Sequence, residues 1–142
     1  MPEHPLLLDT HVWIWMIMGE PAKLSDQAIS AIEAAAEAGE ILIPAIAVWE
    51  VGMLESKGRL SLARPIDDWV KDGLRAPGVR LLDLSPAIAI ESTRLPGAPH
   101  LDPADRIMIA SARITGGRLA TKDQAILDYA EGGHLQVMDV GG

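Results

Sequence analysis

Short apolar runs alternate with helical patterns along the chain, and this alternation restricts the possible folds more than any other feature of the sequence. Three consecutive leucines, Leu6 to Leu8, run directly into an apolar-periodic segment over residues 10–18. The same order recurs several times with short connections. Buried strands that alternate with helices are typical of a parallel sheet with helices on both faces. We therefore predict one α/β domain with a parallel central sheet.

Turn and capping residues predict where the elements begin and end. Ser25 is a suitable N-cap, Gly39 is a suitable helix end, and prolines occur where several helices start. The predicted strands cover residues 5–9, 41–43, 79–84, 118–121 and 135–140. The predicted helices cover residues 10–18, 26–38, 45–56, 65–74, 86–96, 103–115 and 123–131.

The composition excludes several classes of function. The chain has no cysteine, which excludes disulfides, thiolate zinc sites and cysteine nucleophiles. Its net charge of −8 argues against a protein that coats nucleic acid with a basic surface. The apolar runs are too short for a membrane span and no secretion signal is visible, so we expect no membrane association and a cytoplasmic location.

Two aspartates each follow a predicted strand. Asp9 comes directly after the three leucines, and Asp123 lies two residues after the strand over residues 118–121. Ligands of open parallel α/β sheets bind at the carboxyl ends of the strands, which makes both positions candidates for a functional site. An N-cap for the following helix is the structural alternative in each case.

Glu50 lies on an apolar stripe of its predicted helix. Ile46, Trp49, Met53 and Leu54 define this stripe at spacings of three and four, so we expect Glu50 to face the core. A buried carboxylate without a partner is strongly unfavourable, so it meets a cation or shifts its pKa. A solvated edge position and a buried salt bridge are the alternatives.

Asp105 begins the apolar face of its helix, because apolar residues follow it at i+3, i+4 and i+7. Asp102 precedes Pro103 at the N-cap, and an acidic residue three positions into the helix is also favoured by the helix dipole. We assign Asp102 mainly to capping and Asp105 to the site. The two roles could also be shared or reversed.

A shared divalent cation is one explanation for all four acids. Carboxylates without cysteine or paired histidines form an all-oxygen site, which suits Mg²⁺ or Mn²⁺ better than Zn²⁺. Such a cation activates water for attack on a phosphodiester and stabilises the departing oxygen. Thr10 and Thr121 flank the acids and could position water or phosphate, or act as turn and cap residues.

Four segments occur in the order and approximate spacing of the PIN domain. They are Leu6-Leu7-Leu8-Asp9-Thr10-His11, Val48-Trp49-Glu50-Val51, His100-Leu101-Asp102-Pro103-Ala104-Asp105-Arg106 and Thr121-Lys122-Asp123. The chain resembles this family over essentially its whole length, and more specifically it resembles the VapC toxins of prokaryotic type II toxin–antitoxin systems. The resemblance implies a single PIN-like domain over residues 1–142, a three-layer α/β/α sandwich with a central, mostly parallel sheet of four to five strands.

The resemblance also implies an activity. It indicates a Mg²⁺- or Mn²⁺-dependent endoribonuclease, a homodimer, held inactive by a cognate antitoxin whose C-terminal segment enters or covers the acidic groove. By position, Asp9, Glu50, Asp105 and Asp123 match the acidic quartet of the family, with Asp9 and Asp105 as the most direct metal ligands. Arg106 would pair with a carboxylate or contact RNA phosphate.

Three other functions are compared with this one. A phosphoacceptor signalling domain needs an early acidic pair, a lone mid-chain acceptor and a lysine after a late strand, and the order here is different. A haloacid-dehalogenase-like phosphatase needs a second aspartate two residues after Asp9, where this chain has His11. A catalytically idle PIN-like module that only binds RNA stays open, and an assay separates it from the enzyme.

The net charge has a different meaning if the four acids share one site. They then hold half of the charge of −8. RNA would be bound through metal and a few basic residues, with Lys57, Arg59, Arg64 and Arg106 as candidates, and not by a broad basic surface.

Overall fold

The computed structural model describes residues 4–97 and 100–142, in which one or two α-helices separate each of five strands from the next, seven α-helices in all. The strands are β1 (Leu6–Leu8), β2 (Ile41–Pro44), β3 (Val79–Leu82), β4 (Arg118–Thr121) and β5 (Gln136–Asp139). The helices are α1 (Thr10–Met18), α2 (Asp26–Glu37), α3 (Ala45–Ser56), α4 (Ile66–Leu74), α5 (Pro86–Thr93), α6 (Pro103–Thr115) and α7 (Gln124–Ala130). A short 3-10 helix at Pro21–Lys23 follows α1.

All five strands are parallel and lie in the order β3-β2-β1-β4-β5. In the central strand, Leu7 is paired with Leu42 on one side and Leu119 on the other. Every residue of β1 and β2 is buried, and successive side chains of a strand point to opposite faces. Both faces of the sheet are therefore covered, which confirms the predicted three-layer α/β architecture with a five-stranded parallel sheet.

The third strand is shorter than its predicted range of residues 79–84. Its pairing with β2 ends where Pro44 lies beside Leu82, because the chain of β2 turns directly into α3 after that proline. Asp83 and Leu84 are left without a strand to pair with, and the Leu84 side chain is exposed. The fifth helix likewise ends at Thr93 and not near Pro96.

The order of the strands fixes where a site can form. From β1 the chain moves outward to β2 and β3 on one side, and later returns to β4 and β5 on the other. This reversal leaves a crevice at the carboxyl ends of β1 and β4, the usual location of ligand sites in such sheets. Asp9 follows β1 directly, and Asp123 follows β4.

The described helices include no membrane-spanning candidate. Over residues 4–97 and 100–142, none of them combines the length and the apolar character that a crossing requires.

Candidate acidic active site

One cleft of about 510 Å³ at the carboxyl edge of the sheet contains all four of the predicted site acids. Its lining residues come from both sides of the crevice. They are Asp9, Thr10, His11, Val12, Trp15, Glu50, Asp102, Asp105, Lys122 and Asp123. The acids come from four separate places in the chain, which the sheet topology brings together.

Asp9 is both a helix cap and a cleft residue. It precedes α1 as the N-cap with an extended backbone, and its Oδ1 accepts the Thr10 N–H at 2.8 Å. Its Oδ2 accepts the hydroxyl of Thr121 at 2.6 Å. The two interpretations of the sequence, capping and site, are therefore compatible, because one oxygen serves the helix while the carboxylate faces the cleft.

Two buried threonines connect the acids in pairs. The Thr10 hydroxyl donates to Glu50 Oε1 at 2.7 Å, while the Thr121 hydroxyl donates to Asp9 and accepts the Asp123 N–H at 3.0 Å. Both threonine side chains are almost fully removed from solvent. Thr10 and Thr121 were predicted to flank the acids, and the structure places them between the acids as hydrogen-bonding links.

Glu50 lies in the cleft, but not for the reason that the sequence indicated. We predicted that the stripe containing Trp49 and Met53 faces the core, whereas the buried residues of α3 are Ala47 and Val51, and Trp49 is 56% exposed. Almost every residue of this helix is apolar, so its periodicity does not distinguish the inner face from the outer face. The half-buried Glu50 carboxylate points toward α1 and contacts Thr10.

Asp102 and Asp105 share the start of α6. Asp102 is the N-cap and its Oδ1 accepts the Asp105 N–H at 2.8 Å, as predicted for the capping residue. Both side chains line the cleft, with Asp102 exposed and Asp105 half-buried. Met108, which follows Asp105 by one turn, is buried, so the inward direction of Asp105 agrees with the predicted apolar face.

Asp123 caps the next helix. Its Oδ1 accepts the Ala125 N–H at 2.9 Å and faces the Ile126 N–H at 3.4 Å, which makes it the N-cap of α7. Its side chain also lines the cleft. As with Asp9, a capping position at the end of a strand places a carboxylate at the crevice.

Burial and mutual repulsion disfavour the ionised forms of these acids. Burial raises the pKa of Asp9, although the hydrogen bonds from Thr121 and Thr10 act in the opposite direction. Burial also raises the pKa of Glu50, against the hydrogen bond from Thr10. For Asp105, burial and the negative charges of the other four acids of the cleft raise the pKa to about 7. The cleft therefore concentrates negative charge that a cation would stabilise.

The basic side chains near the acids include one predicted residue and two others. Arg106 Nε donates to the Ser92 carbonyl oxygen at 2.8 Å, which ties α6 to α5. The cleft itself contains Lys122 and His11, which were not selected as site residues. Their adjacency to Thr121, Asp123 and Thr10 in the sequence was the signal that could have identified them.

The donor chemistry of the cleft fits a hard divalent cation. Carboxylate oxygens are ligands that such cations prefer. A carboxylate oxygen that accepts one hydrogen bond retains a second lone pair, which can bind the cation. Within residues 4–97 and 100–142, however, no group of three or more acidic or histidine side chains has an arrangement that could hold a metal ion as it stands. The carboxylates would have to close around a cation in order to bind it.

Comparisons with known proteins agree on the fold. None of the curated sequences is significantly similar to the chain. Solved structures are similar to it: a DNA-bound VapBC from Salmonella typhimurium (18% identity, TM-score 0.66, 95% of this chain and 97% of the other) and a DNA-bound VapBC from Rickettsia felis (15%, 0.70, 94% and 96%). A toxin–antitoxin complex from Klebsiella pneumoniae is also similar (21%, 0.61, 94% and 95%).

At these identities the structures show a shared fold, and a sequence-family comparison establishes the relationship. The family model of the PIN domain matches residues 6–132, which include all five acids of the cleft. The chain therefore belongs to the PIN domain family.

Proposed function

We propose that this protein is a Mg²⁺- or Mn²⁺-dependent endoribonuclease and the toxin of a type II toxin–antitoxin module. One observation carries the proposal: Asp9, Glu50, Asp105 and Asp123 line a single cleft at the reversal of strand order. A cluster of carboxylates at the ligand-binding edge of a parallel sheet destabilises the protein unless it serves a cation. Membership of the PIN domain family supports nuclease chemistry for that cation.

In this proposal Asp9 and Asp105 hold the cation most directly, with Glu50 and Asp123 completing the set. When bound, a divalent cation lowers the pKa of a water and stabilises negative charge on a departing phosphodiester oxygen. Carboxylates suit this role because Mg²⁺ and Mn²⁺ prefer oxygen ligands. The phosphodiester backbone of RNA is the substrate.

The threonines orient the acids for this role. Thr121 holds Asp9 Oδ2 through its hydroxyl, and Thr10 holds Glu50 Oε1. Each bond restricts the rotation of its carboxylate, in addition to the bond that Asp9 Oδ1 accepts from the Thr10 N–H. Asp102 holds the first turn of α6 and so sets the position of Asp105. Arg106 acts as a structural residue through its bond to Ser92.

The biological context is proposed by analogy with the structural relatives. Those relatives are toxin–antitoxin complexes, two of them bound to DNA. We infer that this chain is a single PIN-like domain that forms a homodimer in the cytoplasm and binds a cognate antitoxin, which covers the acidic cleft. The net charge of −8 gives a basic segment of the antitoxin an electrostatic target.

Metal-dependent cleavage of RNA by the purified chain tests the proposal. We expect cleavage of single-stranded RNA with Mg²⁺ or Mn²⁺ and none with EDTA. Asp9→Asn and Asp105→Asn should each abolish cleavage, because each removes a negative ligand without changing the size of the side chain. Asp26→Asn, at an exposed position in the first turn of α2, is the matched control and should cleave at the wild-type rate.

Two results would contradict the proposal. Undiminished cleavage by both cleft variants would show that the activity does not come from these acids. Binding of RNA without cleavage under any divalent metal would instead identify an idle RNA-binding module. Expression of the chain with and without the protein encoded by the adjacent reading frame tests the toxin role, since growth should stop only in its absence.

A further inference from the structure

A second concave surface lies beside the acidic cleft, between α3 and α6. We call it the α3–α6 groove, with a volume of about 410 Å³ and apolar walls formed by Trp49, Met53 and Leu54 of α3 and by Pro103 and Ala104 of α6. Glu50 and Asp102 line both this groove and the acidic cleft. The two surfaces are therefore continuous, and a chain molecule that leaves the cleft on this side enters the groove.

Trp49 is the most exposed aromatic side chain on this path. Its side chain is 56% exposed, whereas Trp13 and Trp69 are buried against each other. An indole that remains in water at the wall of a groove presents a flat face to which a nucleobase can stack. Trp49 lines the groove together with Glu50, and Glu50 also lines the acidic cleft, so the groove wall that carries Trp49 adjoins the cleft.

Two cations stand at the far end of the groove. Lys57 and Arg59 both line it, because α3 ends at Ser56 and Gly58 reverses the chain with a φ of 70°. The Arg59 N–H bonds back to the Leu54 carbonyl oxygen at 2.9 Å, which keeps the turn against the helix. Among the described residues, the ion pairs involve neither of these two side chains, so both are available to an anion.

We propose that the α3–α6 groove binds the single-stranded RNA that extends from the acidic cleft, with one base stacked on Trp49 and the adjacent phosphates bound by Lys57 and Arg59. This inference rests on the proposed function, because it takes RNA as the substrate. The groove combines an aromatic face with positive charge, the combination by which proteins bind single strands without reading their sequence. The groove also supplies positive charge that attracts RNA phosphates, an attraction that the acidic cleft lacks.

The expected behaviour of variants separates stacking from charge. Trp49→Leu retains apolar volume but removes the ring, and it should weaken RNA binding by about tenfold, the scale of one base stacked on an aromatic side chain. Trp49→Phe retains a smaller ring and should recover part of the affinity. Lys57→Gln combined with Arg59→Gln should lower the slope of log affinity against log salt by about 1.4, or about 0.7 for each lost phosphate contact.

The test measures binding in EDTA, so that cleavage does not contribute. The full chain and its variants are titrated into a short fluorescein-labelled single-stranded RNA, and fluorescence anisotropy is recorded at several salt concentrations. Arg80→Gln combined with Arg118→Gln is the charge-matched control. Both arginines are exposed near the amino ends of their strands, at the edge of the sheet opposite the cleft. This control should leave the salt slope unchanged.

The outcomes distinguish this inference from the proposed function. If both Trp49→Leu and the Lys57/Arg59 variant bind RNA with wild-type affinity, the groove does not bind RNA, even if the chain cleaves RNA. If these variants lose RNA affinity but the wild-type chain shows no metal-dependent cleavage, the results support RNA binding by the groove and contradict the proposed nuclease activity. Sedimentation of the same variants identifies a protein occupant: if Trp49→Leu separates a dimer and leaves RNA affinity intact, the groove is an interface between copies of the chain.

Discussion

At the scale of single residues, Thr121 lies behind the acidic cleft and holds two of its acids in place. One hydroxyl donates its only proton to Asp9 Oδ2 and accepts the Asp123 N–H, so it connects the end of β1 to the start of α7. The side chain is fully buried, and water does not compete for these bonds. Mutation of a residue that orients a metal ligand through a hydrogen bond typically lowers metal affinity or activity by about 10–100-fold.

We predict that Thr121→Val lowers metal affinity and RNA cleavage by about 10–100-fold while the fold is retained. Valine has nearly the same shape as threonine but leaves Asp9 Oδ2 without its donor. Isothermal titration with Mn²⁺ and cleavage rates measure the effect. Thr93→Val is the control, since the Thr93 hydroxyl bonds only within its own helix, to the Ile90 carbonyl oxygen at 2.7 Å. Equal metal affinities in the two variants would contradict the prediction.

For single residues, the sequence predicted the positions of the acids in the cleft better than the positions of the side chains around them. Asp9 and Asp123 were identifiable because each follows a strand, a position that local pattern alone reveals. The exposure of Trp49 was not predictable, because apolar residues occur all around α3 and its orientation depends on contacts distant in sequence. Lys122, by contrast, was identifiable from local sequence, because it lies between Thr121 and Asp123.

At the scale of elements, one glycine determines how closely α2 approaches the sheet. Gly78 precedes β3 with a φ of 78°, and a Cβ atom there would lie 1.9 Å from the Ala36 carbonyl oxygen. Only glycine fits both the backbone conformation and the space. Gly39 offers a comparison, because its φ is 70° but a Cβ atom would meet no described atom within 4 Å.

We predict that Gly78→Ala lowers the free energy of unfolding by about 1–3 kcal/mol more than Gly39→Ala. Both variants carry the strain of alanine in the left-handed region, about 1–2 kcal/mol, and only Gly78→Ala adds the overlap with Ala36. Urea denaturation of the two variants gives the difference. Equal losses would show that the α2–β3 contact can move to accept a methyl group.

The starts of helices were predictable from local sequence, whereas the ends and the order of strands were not. Capping residues such as Ser25 and Asp102 predicted helix starts correctly, because each accepts a hydrogen bond from its own helix. The predicted end of β3 was wrong. A strand ends where its paired neighbour ends, and here that neighbour ends at Pro44, which is distant from β3 in sequence. Strand order is likewise set by pairing between distant segments, so the sequence indicated a parallel sheet without giving its order.

At the scale of the whole molecule, the clustered acids make stability depend on pH and metal. The Asp105 pKa is about 7 in the folded protein, above its ordinary value of 3.8 in an unfolded chain. Between these values the folded state holds a proton that the unfolded state has released. The contribution of Asp105 to stability therefore falls as pH rises from about 4 to about 7, and the loss is complete above that range.

We predict that Asp105→Asn raises the Tm of the metal-free protein at pH 8 and leaves it nearly unchanged at pH 4. Asparagine is neutral at both values, so it removes the repulsion only where the aspartate is ionised. Mg²⁺ should raise the Tm of the wild type at pH 8 more than that of the variant, because a ligand of the folded state stabilises it. Calorimetry with and without EDTA measures these shifts, and a lower Tm of the variant at pH 8 would contradict them.

The bond between Thr121 and Asp9 joins positions 112 residues apart, which has a consequence for synthesis of the protein. A ribosome releases β1 and α3 first, and β4 only near the end of translation. A growing chain thus carries Asp9 and Glu50 without the strand that pairs beside β1 and brings Thr121 and Asp123 to the cleft. A half-made copy has no finished cleft, so under the proposed function the nascent product does not cleave the messenger RNA from which it is being translated.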